Sequence, residues 1–124
     1  MSAKSILLID DEPNLSEVIA VCLQSFKGWT VRLANSGREG FRLLETVQPD
    51  AILLDVMMPE MDGITVYRNL QENPDTQNIP VILLTAKVQA SDRERFSQLG
   101  VVGTIAKPFN PVTLADQVAQ LLGW

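Results

Sequence analysis

The sequence predicts an α/β domain built on a parallel, five-stranded, doubly wound sheet. Short apolar segments recur along the chain, and stretches with helix start signals lie between them, so that strand and helix alternate five times. The connections are short, which favours parallel strands joined by right-handed crossovers. A length of 124 residues fits one hydrophobic core. We therefore expect a single domain spanning residues 1–124.

Three of the apolar segments, at 6–9, 51–54 and 81–84, are predicted to be central strands. They lack the polar and apolar alternation of a half-exposed strand, which indicates that helices cover both faces of the sheet. Residues 29–33 alternate more and predict a strand nearer an edge. The last strand is predicted from a shorter apolar pair at 101–102.

Helix start signals follow the first two strands. Pro13 suits the first turn of a helix over about 14–26. Ser36 and Glu39 have the spacing of a capping box, in which a serine side chain and a glutamate side chain satisfy each other's backbone N–H groups. Each of these strands is therefore predicted to lead directly into a helix.

The other helices are predicted from the same kind of evidence. A helix is expected from 63 to about 73, where a proline follows. Ser91 and Glu94 again have capping-box spacing. Asn110 and Pro111 pair an N-cap residue with a first-turn proline, so the last helix is expected to begin there.

Charge and missing residue types exclude several functions. The formal net charge is −5, so we expect no direct nucleic-acid partner, because phosphate binding relies on clustered Lys and Arg. No apolar run approaches the roughly 20 residues of a membrane span, and no signal core opens the chain, so we expect a cytoplasmic location. The lone Cys22 suits a reducing compartment. With no histidine, the chain lacks Ser-His-Asp catalysis, histidine-based zinc sites and a phosphohistidine of its own.

Polar side chains follow the ends of four of the predicted strands. In chain order they are Asp10, Asp11, Glu12, Asp55, Thr85 and Lys107. Ligands bind at the carboxyl ends of the strands in such a sheet, so we expect these side chains to meet at one rim. Taken singly, each has a plainer interpretation, since an aspartate after a strand is often a cap or turn residue and a lone lysine is often a solvated amine.

The convergence of carboxylates predicts a magnesium site. Two carboxylates about 4 Å apart repel by about 4 kcal/mol at an effective dielectric of 20, a cost that a hard cation would remove. Mg²⁺ takes oxygen ligands and usually keeps several waters. Beside such a metal, Asp55 can attack phosphorus and form an acyl phosphate. Lys107 would neutralise charge on the transferring group, and the Thr85 hydroxyl would donate to its oxygen.

Four motifs stand at these strand ends. They are Asp10-Asp11, the segment DVMMPEMDG at 55–63, Thr85-Ala86 and Lys107-Pro108-Phe109. Each is weak alone, but in this order and position they resemble the CheY-like receiver domains of two-component response regulators, over about 4–122. The resemblance implies a flavodoxin-like (βα)5 fold with strand order 2-1-3-4-5.

The resemblance also implies a role for each motif residue. Asp55 accepts a phosphoryl group, and Thr85 and Lys107 contact its oxygens. The implied metal ligands are Asp11, Asp10 mainly through water, Asp55 and the Met57 backbone carbonyl. Glu12 is expected near the site without binding the metal directly. Such a domain loads and loses its own phosphoryl group and is a signalling domain rather than a turnover enzyme.

The implied partners are proteins. The donor is a sensor histidine kinase or a histidine phosphotransfer protein, and the output goes to a downstream protein effector, with a homodimer as a further possibility. The chain departs from the family at Thr104, where receivers usually carry Tyr or Phe. In the usual switch Thr85 moves toward the phosphoryl group and the ring rotates inward. Since Thr104 has no ring, we expect the signal to run through loop reordering.

The first predicted helix carries an apolar stripe at helical spacing. Its members are Leu15, Val18, Ile19, Cys22 and Leu23. We expect the last three in the core. Leu15 and Val18 are expected nearest the acidic rim, and the resemblance places a donor's helical bundle against this part of the helix and the loop after Lys107. We therefore predict Leu15, Val18 and Pro108 as docking residues.

Other interpretations stay open. A pseudo-receiver would use the same fold as a scaffold for protein interactions and never carry phosphate. Haloacid-dehalogenase enzymes also form an aspartyl phosphate, but their Asp-x-Asp arrangement after the first strand is missing here. A flavodoxin would need a Ser/Thr/Gly phosphate loop where this chain has three carboxylates. The sequence fits both a stand-alone regulator and a fragment of a longer protein.

Overall fold

The structure of the chain, a computed structural model, describes residues 4–56, 58, 62–86, 94, 96, 98–107 and 109–124. Its elements are β1 (Ser5–Ile9), α1 (Pro13–Lys27), β2 (Thr30–Ala34), α2 (Gly37–Leu44), β3 (Ala51–Asp55), α3 (Gly63–Glu72), β4 (Val81–Thr85), β5 (Gly103–Ala106) and α4 (Leu114–Leu122). The capping box predicted at Ser91 lies outside the described residues and stays a prediction.

The strands form one parallel sheet in the order β2-β1-β3-β4-β5, which confirms the expected fold. Ile9 at the end of β1 pairs with Leu54 of β3, and Thr85 at the end of β4 pairs with Ala106 of β5. The carboxyl ends of β1, β3, β4 and β5 are therefore level with one another. Side chains that follow these strands start from one edge of the sheet.

Both faces of the sheet are covered, because alternate residues of a strand point to opposite sides. Leu8 and Leu53 face a layer formed by α1 and α4. Leu7 and Ile52 face a layer that includes α3. Every residue of β3 and β4 is buried, as predicted for central strands, and β2 at one edge of the sheet is partly exposed.

Two sequence-based boundaries were wrong. β5 begins after the apolar pair at 101–102, and Val102 is an exposed residue whose N–H donates to the Val81 carbonyl at 2.9 Å. The last helix begins at Leu114, because Asn110 forms a turn before it: its Oδ1 accepts from the Val112 N–H at 2.9 Å. Asn110 is thus a turn residue and not the N-cap.

The end of α4 lies against the start of β2. The Trp29 and Trp124 rings meet edge to face, with centroids 5.1 Å apart and an interplanar angle of 80°. The Lys4 ammonium lies 5.2 Å from the centre of the Trp124 ring. This group stands at the amino-terminal end of the strands. Among the helices in the described part of the chain, none has the length and apolar character that a membrane crossing requires.

Side chains cap the N-termini of α2 and α3, and the first of these caps was predicted. Ser36 accepts a hydrogen bond from the Glu39 N–H at 3.2 Å, as the capping-box spacing predicted. At the start of α3, Asp62 Oδ1 accepts from the Thr65 N–H at 2.8 Å. This backbone hydrogen bond is the main cause that lowers the pKa of Asp62 below its ordinary value of 3.8.

We expect Asp62→Ala to lower the free energy of unfolding by about 1 kcal/mol at neutral pH, because the Thr65 N–H loses its acceptor. A lowered folded pKa contributes stability that is present above 3.8 and is lost as the pH falls through the folded value. The difference between wild type and variant should therefore shrink in strong acid. Urea denaturation at several pH values measures it, with Glu72→Ala at the other end of α3 as the control. An equal loss at every pH would contradict the carboxylate cap.

Candidate functional site

Two buried carboxylates stand side by side at the carboxyl edge of the sheet. Asp10 directly follows β1, and Asp55 is the last residue of the neighbouring strand β3. Asp10 is 0% exposed and Asp55 is 1% exposed. Burying two negative charges is costly unless a cation or hydrogen bonds compensate for them.

Lys107 supplies that compensation. Its backbone N–H donates to the Thr85 carbonyl at 2.9 Å, which continues the ladder between β4 and β5 past its last pair. The side chain then reaches across the end of β4. Its Nζ lies 3.1 Å from Asp10 Oδ2 and 3.3 Å from Asp55 Oδ1. One ammonium thus holds the two buried carboxylates together.

The charge state of Lys107 follows from these contacts. Burial by itself disfavours the ammonium, and the side chain is only 15% exposed. The hydrogen bond and charge of Asp10, together with the charge of Asp55, outweigh burial and raise the pKa of Lys107 above its ordinary value of 10.5. Lys107 is therefore an ammonium at neutral pH.

The two buried carboxylates belong to a larger acidic cluster: Asp10, Asp11, Glu12 and Asp55. One oxygen from each of the four lies within 4.8 Å of the others. Asp11 is half-buried and Glu12 is exposed, so the cluster opens to solvent on that side. Glu12 Oε1 is 4.0 Å from Lys107 Nζ. The single charge of Lys107 does not by itself neutralise four carboxylates, and a cluster of this composition fits a divalent cation.

The donor set also fits Mg²⁺. All four side chains offer oxygen, and the solvent-facing side leaves room for the waters that Mg²⁺ usually keeps. Asp10 is already engaged, because Oδ1 accepts from the Glu12 N–H at 2.9 Å while Oδ2 contacts Lys107. These bonds leave Asp11 as the more available ligand of the two.

Thr85 and Thr104 were the predicted switch residues. Thr85 ends β4 and is 2% exposed, and the strand order places it between Asp55 on β3 and Lys107 after β5. Ala86, the next residue, is exposed and small. Thr104 is half-buried on β5 and pairs with Leu83. Signalling by loop reordering stays a prediction, because residues 87–93 lie outside the described part of the chain.

The apolar stripe of α1 divides as expected. Ile19, Cys22 and Leu23 belong to the core between α1 and the sheet. Leu15 is half-buried, and Val18 is 44% exposed. Both line a groove that opens beside the acidic cluster. Its lining residues are Glu12, Leu15, Val18, Ala86, Lys107, Phe109 and Pro111.

Sequence reasoning missed two of these groove residues. Phe109 and Pro111 follow Lys107 in the segment KPFNP, and an apolar residue just after a strand end was the available signal. Two predicted residues, Met57 as a metal ligand and Pro108 as a docking residue, lie outside the described residues. Their roles stay predictions.

Comparison with known proteins identifies the family. The family model described as the response regulator receiver domain matches residues 6–119. The DNA-binding dual master transcriptional regulator RpaA of Synechocystis is 37% identical over 117 residues, which cover 94% of this chain and 48% of that protein. The chain spans about half the length of the curated relatives it matches.

Solved structures agree with this result. The signal receiver domain of a histidine kinase from Syntrophus aciditrophicus is 39% identical, with a TM-score of 0.84 over 98% of this chain and 91% of that one. The receiver domain of a sensor histidine kinase from Pseudomonas aeruginosa, solved with magnesium coordinated in its active-site cleft, is 32% identical. Its TM-score is 0.84 over 99% of this chain and 100% of that one. The chain is therefore a member of the response regulator receiver domain family, which serves two-component signalling.

Proposed function

We propose that this receiver takes a phosphoryl group from a phosphohistidine on a partner protein onto Asp55. The observation that carries the proposal is the position of the Lys107 ammonium. It lies 3.3 Å from Asp55 Oδ1, at the edge of an acidic cluster that is suited to a divalent cation. A stable fold does not require four crowded carboxylates, whereas phosphoryl transfer uses both a nucleophile and positive charge.

The transfer is a single displacement at phosphorus. A carboxylate oxygen of Asp55 forms the new O–P bond while the N–P bond of the donor breaks, and the imidazole nitrogen leaves with the bonding pair. Lys107 stabilises negative charge on the phosphoryl oxygens, and Thr85 donates a hydrogen bond to one of them. The residues that would hold Mg²⁺ are Asp11 and Asp55, with the Met57 carbonyl as a further ligand and Asp10 acting mainly through water. The bound ion would supply positive charge beside the phosphoryl group.

Burial of Asp55 serves this reaction. Its side chain is 2% exposed, so little bulk water reaches the nucleophile or the acyl phosphate that it forms. The opening beside Glu12 and Lys107 is where the donor would enter. These 124 residues contain no histidine, so we propose that the phosphohistidine is supplied from outside this sequence.

Intact mass spectrometry after treatment with acetyl phosphate and Mg²⁺ tests the proposal. The wild-type chain should gain the mass of one phosphate, and Asp55→Asn should gain none. Asp75→Asn is the matched control, because Asp75 is an exposed aspartate beyond the far end of α3. A wild-type chain that gains no phosphate would favour the scaffold interpretation, and a gain that persists in Asp55→Asn would place the modification elsewhere.

We also propose protein partners on both sides of this step. Receiver domains of response regulators interact with histidine kinases and with effectors. RpaA is named as a DNA-binding regulator, and the region that matches this chain is about half of that protein. With a net charge of −5, this domain is proposed to signal through protein contacts rather than by touching nucleic acid itself.

The donor is proposed to dock on the groove beside α1. We expect Val18→Glu to slow transfer from a phosphohistidine donor by about ten-fold, because a charge would be buried unpaired against the donor. Phosphorylation by acetyl phosphate should change by less than about two-fold, since the small donor needs no docking surface. Stopped-flow or gel-based transfer assays with a phosphorylated histidine kinase domain measure the first rate.

Val21→Glu is the control for the docking prediction. Val21 is 59% exposed on the same helix, but it does not line the groove. Leu15→Glu should act like Val18→Glu, with an added loss of stability because Leu15 packs against the core. If Val18→Glu slowed both donors equally, docking would not be its role.

A further inference from the structure

Gly63 begins α3 in direct contact with the backbone that carries the phosphoacceptor. A Cβ placed on Gly63 would lie 2.4 Å from the Asp55 carbonyl oxygen and 2.8 Å from the Val56 Cα. These are main-chain atoms, which cannot swing aside as the tip of a side chain can. The backbone φ of Gly63 is not positive, so the position needs the missing side chain and not glycine's conformational freedom.

A hydrogen bond fixes the same contact. The Gly63 N–H donates to the Val56 carbonyl at 3.0 Å, and the Val56 N–H donates to the Leu84 carbonyl of β4 at 3.0 Å. The first turn of α3 is therefore joined to the end of β3, which is joined in turn to β4. Asp62, which caps the Thr65 N–H, holds that first turn in helical form.

We propose that Gly63 is a positioning residue for Asp55. Because Gly63 has no side chain, α3 packs directly against the 55–56 peptide. This close packing fixes the position of the Asp55 carboxylate relative to Lys107 and the acidic cluster. The inference rests on the proposed function in naming Asp55 as the phosphoacceptor. A methyl group at Gly63 has to displace either α3 or the 55–56 peptide, and that peptide is bonded to the Asp55 Cα, which carries the carboxylate side chain.

A loss of activity caused by misplacing Asp55 can be distinguished from a loss caused by poorer packing alone. Alanine is a better helix former than glycine, so helix propensity alone would favour Gly63→Ala. Gly103 provides the comparison: a Cβ there would lie 2.6 Å from Leu121 Cδ2, the tip of a flexible side chain. Gly103 is at the amino end of β5, away from Lys107. Gly103→Ala is therefore a tight packing change that leaves the site alone.

The experiment compares Gly63→Ala, Gly103→Ala and wild type. Three quantities are measured: the backbone amide chemical shifts of Asp55 and Val56 without metal, the Mg²⁺ concentration for half-maximal phosphorylation by acetyl phosphate, and the maximal rate. Melting temperatures show how far each variant loses stability. In Gly63→Ala we expect both amide signals to move and the rate to fall at least ten-fold, since misplacement near 1 Å costs about a hundred-fold in rate. In Gly103→Ala the amide signals and the rate should stay near wild type.

Several outcomes would overturn the inference. The inference fails if folded Gly63→Ala keeps the wild-type amide signals of Asp55 and Val56. It also fails if Gly103→Ala loses as much of the phosphorylation rate as Gly63→Ala does. If Gly63→Ala does not fold, Asp62→Ala carries the test, because it loosens the first turn of α3 without adding a Cβ. Asp62→Ala should move the same amide signals and slow phosphorylation about three-fold. If neither the amide signals nor the phosphorylation rate changed, the inference would be overturned.

Failure of the proposed function is a separate result. A wild-type chain that takes up no phosphate would overturn the role of Asp55 as acceptor. The amide signals of Asp55 would still decide whether Gly63 sets its position, because they are recorded without metal or phosphate.

Discussion

Lys107→Ala is expected to lower the free energy of unfolding of the metal-free chain by about 3 kcal/mol. The same substitution should slow phosphorylation by acetyl phosphate by about a hundred-fold or more. Removing the ammonium takes away the cation that the two buried carboxylates, Asp10 and Asp55, share. It also removes the side chain that neutralises the phosphoryl oxygens. Both effects come from one atom, the Nζ that contacts both carboxylates.

Lys27→Ala is the matched control. Lys27 Nζ lies 2.8 Å from Asp116 Oδ1, a shorter distance than either contact of Lys107, but those two side chains are 33% and 73% exposed. Ion pairs exposed in this way contribute about 0–1 kcal/mol. Urea denaturation gives the stability of both variants, and the time course of intact mass gives the rates. Equal stability losses in Lys107→Ala and Lys27→Ala would mean that burial of the Lys107 contacts does not increase their contribution to the free energy of unfolding.

The pH dependence gives a second check on Lys107. Its folded pKa is raised, so its contribution to stability is fully present below the ordinary value of 10.5 and is lost as the pH rises through the folded value. The stability difference between wild type and Lys107→Ala should hold through neutral pH and shrink only in strong alkali. A difference that disappears near neutral pH would contradict the raised pKa.

Magnesium is expected to stabilise the wild-type chain by about 2.7 kcal/mol when it is present at 100 times its dissociation constant. The acidic cluster of Asp10, Asp11, Glu12 and Asp55 repels itself in the folded state, and a bound cation removes that repulsion. Asp11→Asn should lose most of the response, since Asp11 is the available ligand beside Asp10. Thermal unfolding with increasing MgCl₂ measures the effect.

Asp11→Asn should also be at least as stable as wild type without metal, because one like charge leaves the cluster. This second result separates loss of a ligand from simple damage to the fold. Asp75→Asn, remote from the cluster, should keep the wild-type response to MgCl₂. A full magnesium response in Asp11→Asn would remove Asp11 from the set of ligands.

The central strands were predictable because both of their faces are buried. Three continuous apolar runs gave β1, β3 and β4 to within one residue. β5 was displaced in the prediction because its residues include Gly103 and Thr104, whereas the apolar pair before it lies at the entrance to the strand. The start of α4 was missed because an asparagine followed by a proline suits both an N-cap and a turn, and here hydrogen bonding within the turn prevails.

For the site, the sheet topology was enough to predict which side chains gather. Residues after parallel strands share one edge, so Asp10, Asp55 and Lys107 were expected together, and the structure brings them together. The Lys107 contact with Asp10, closer than that with Asp55, was not predictable, because it depends on the path of a long side chain. The close contact at Gly63 also could not be predicted from the sequence, since it depends on how closely α3 approaches the end of β3.

The paired rings of Trp29 and Trp124 are also the chain's two tryptophan fluorophores. They stand at the amino end of strands five residues long, about 16 Å from the acidic edge. Their emission would therefore report the packing of α4 and global unfolding. Binding of a ligand at the acidic cluster would leave the emission almost unchanged. A spectroscopic assay of ligand binding needs a dye attached near Val18 instead.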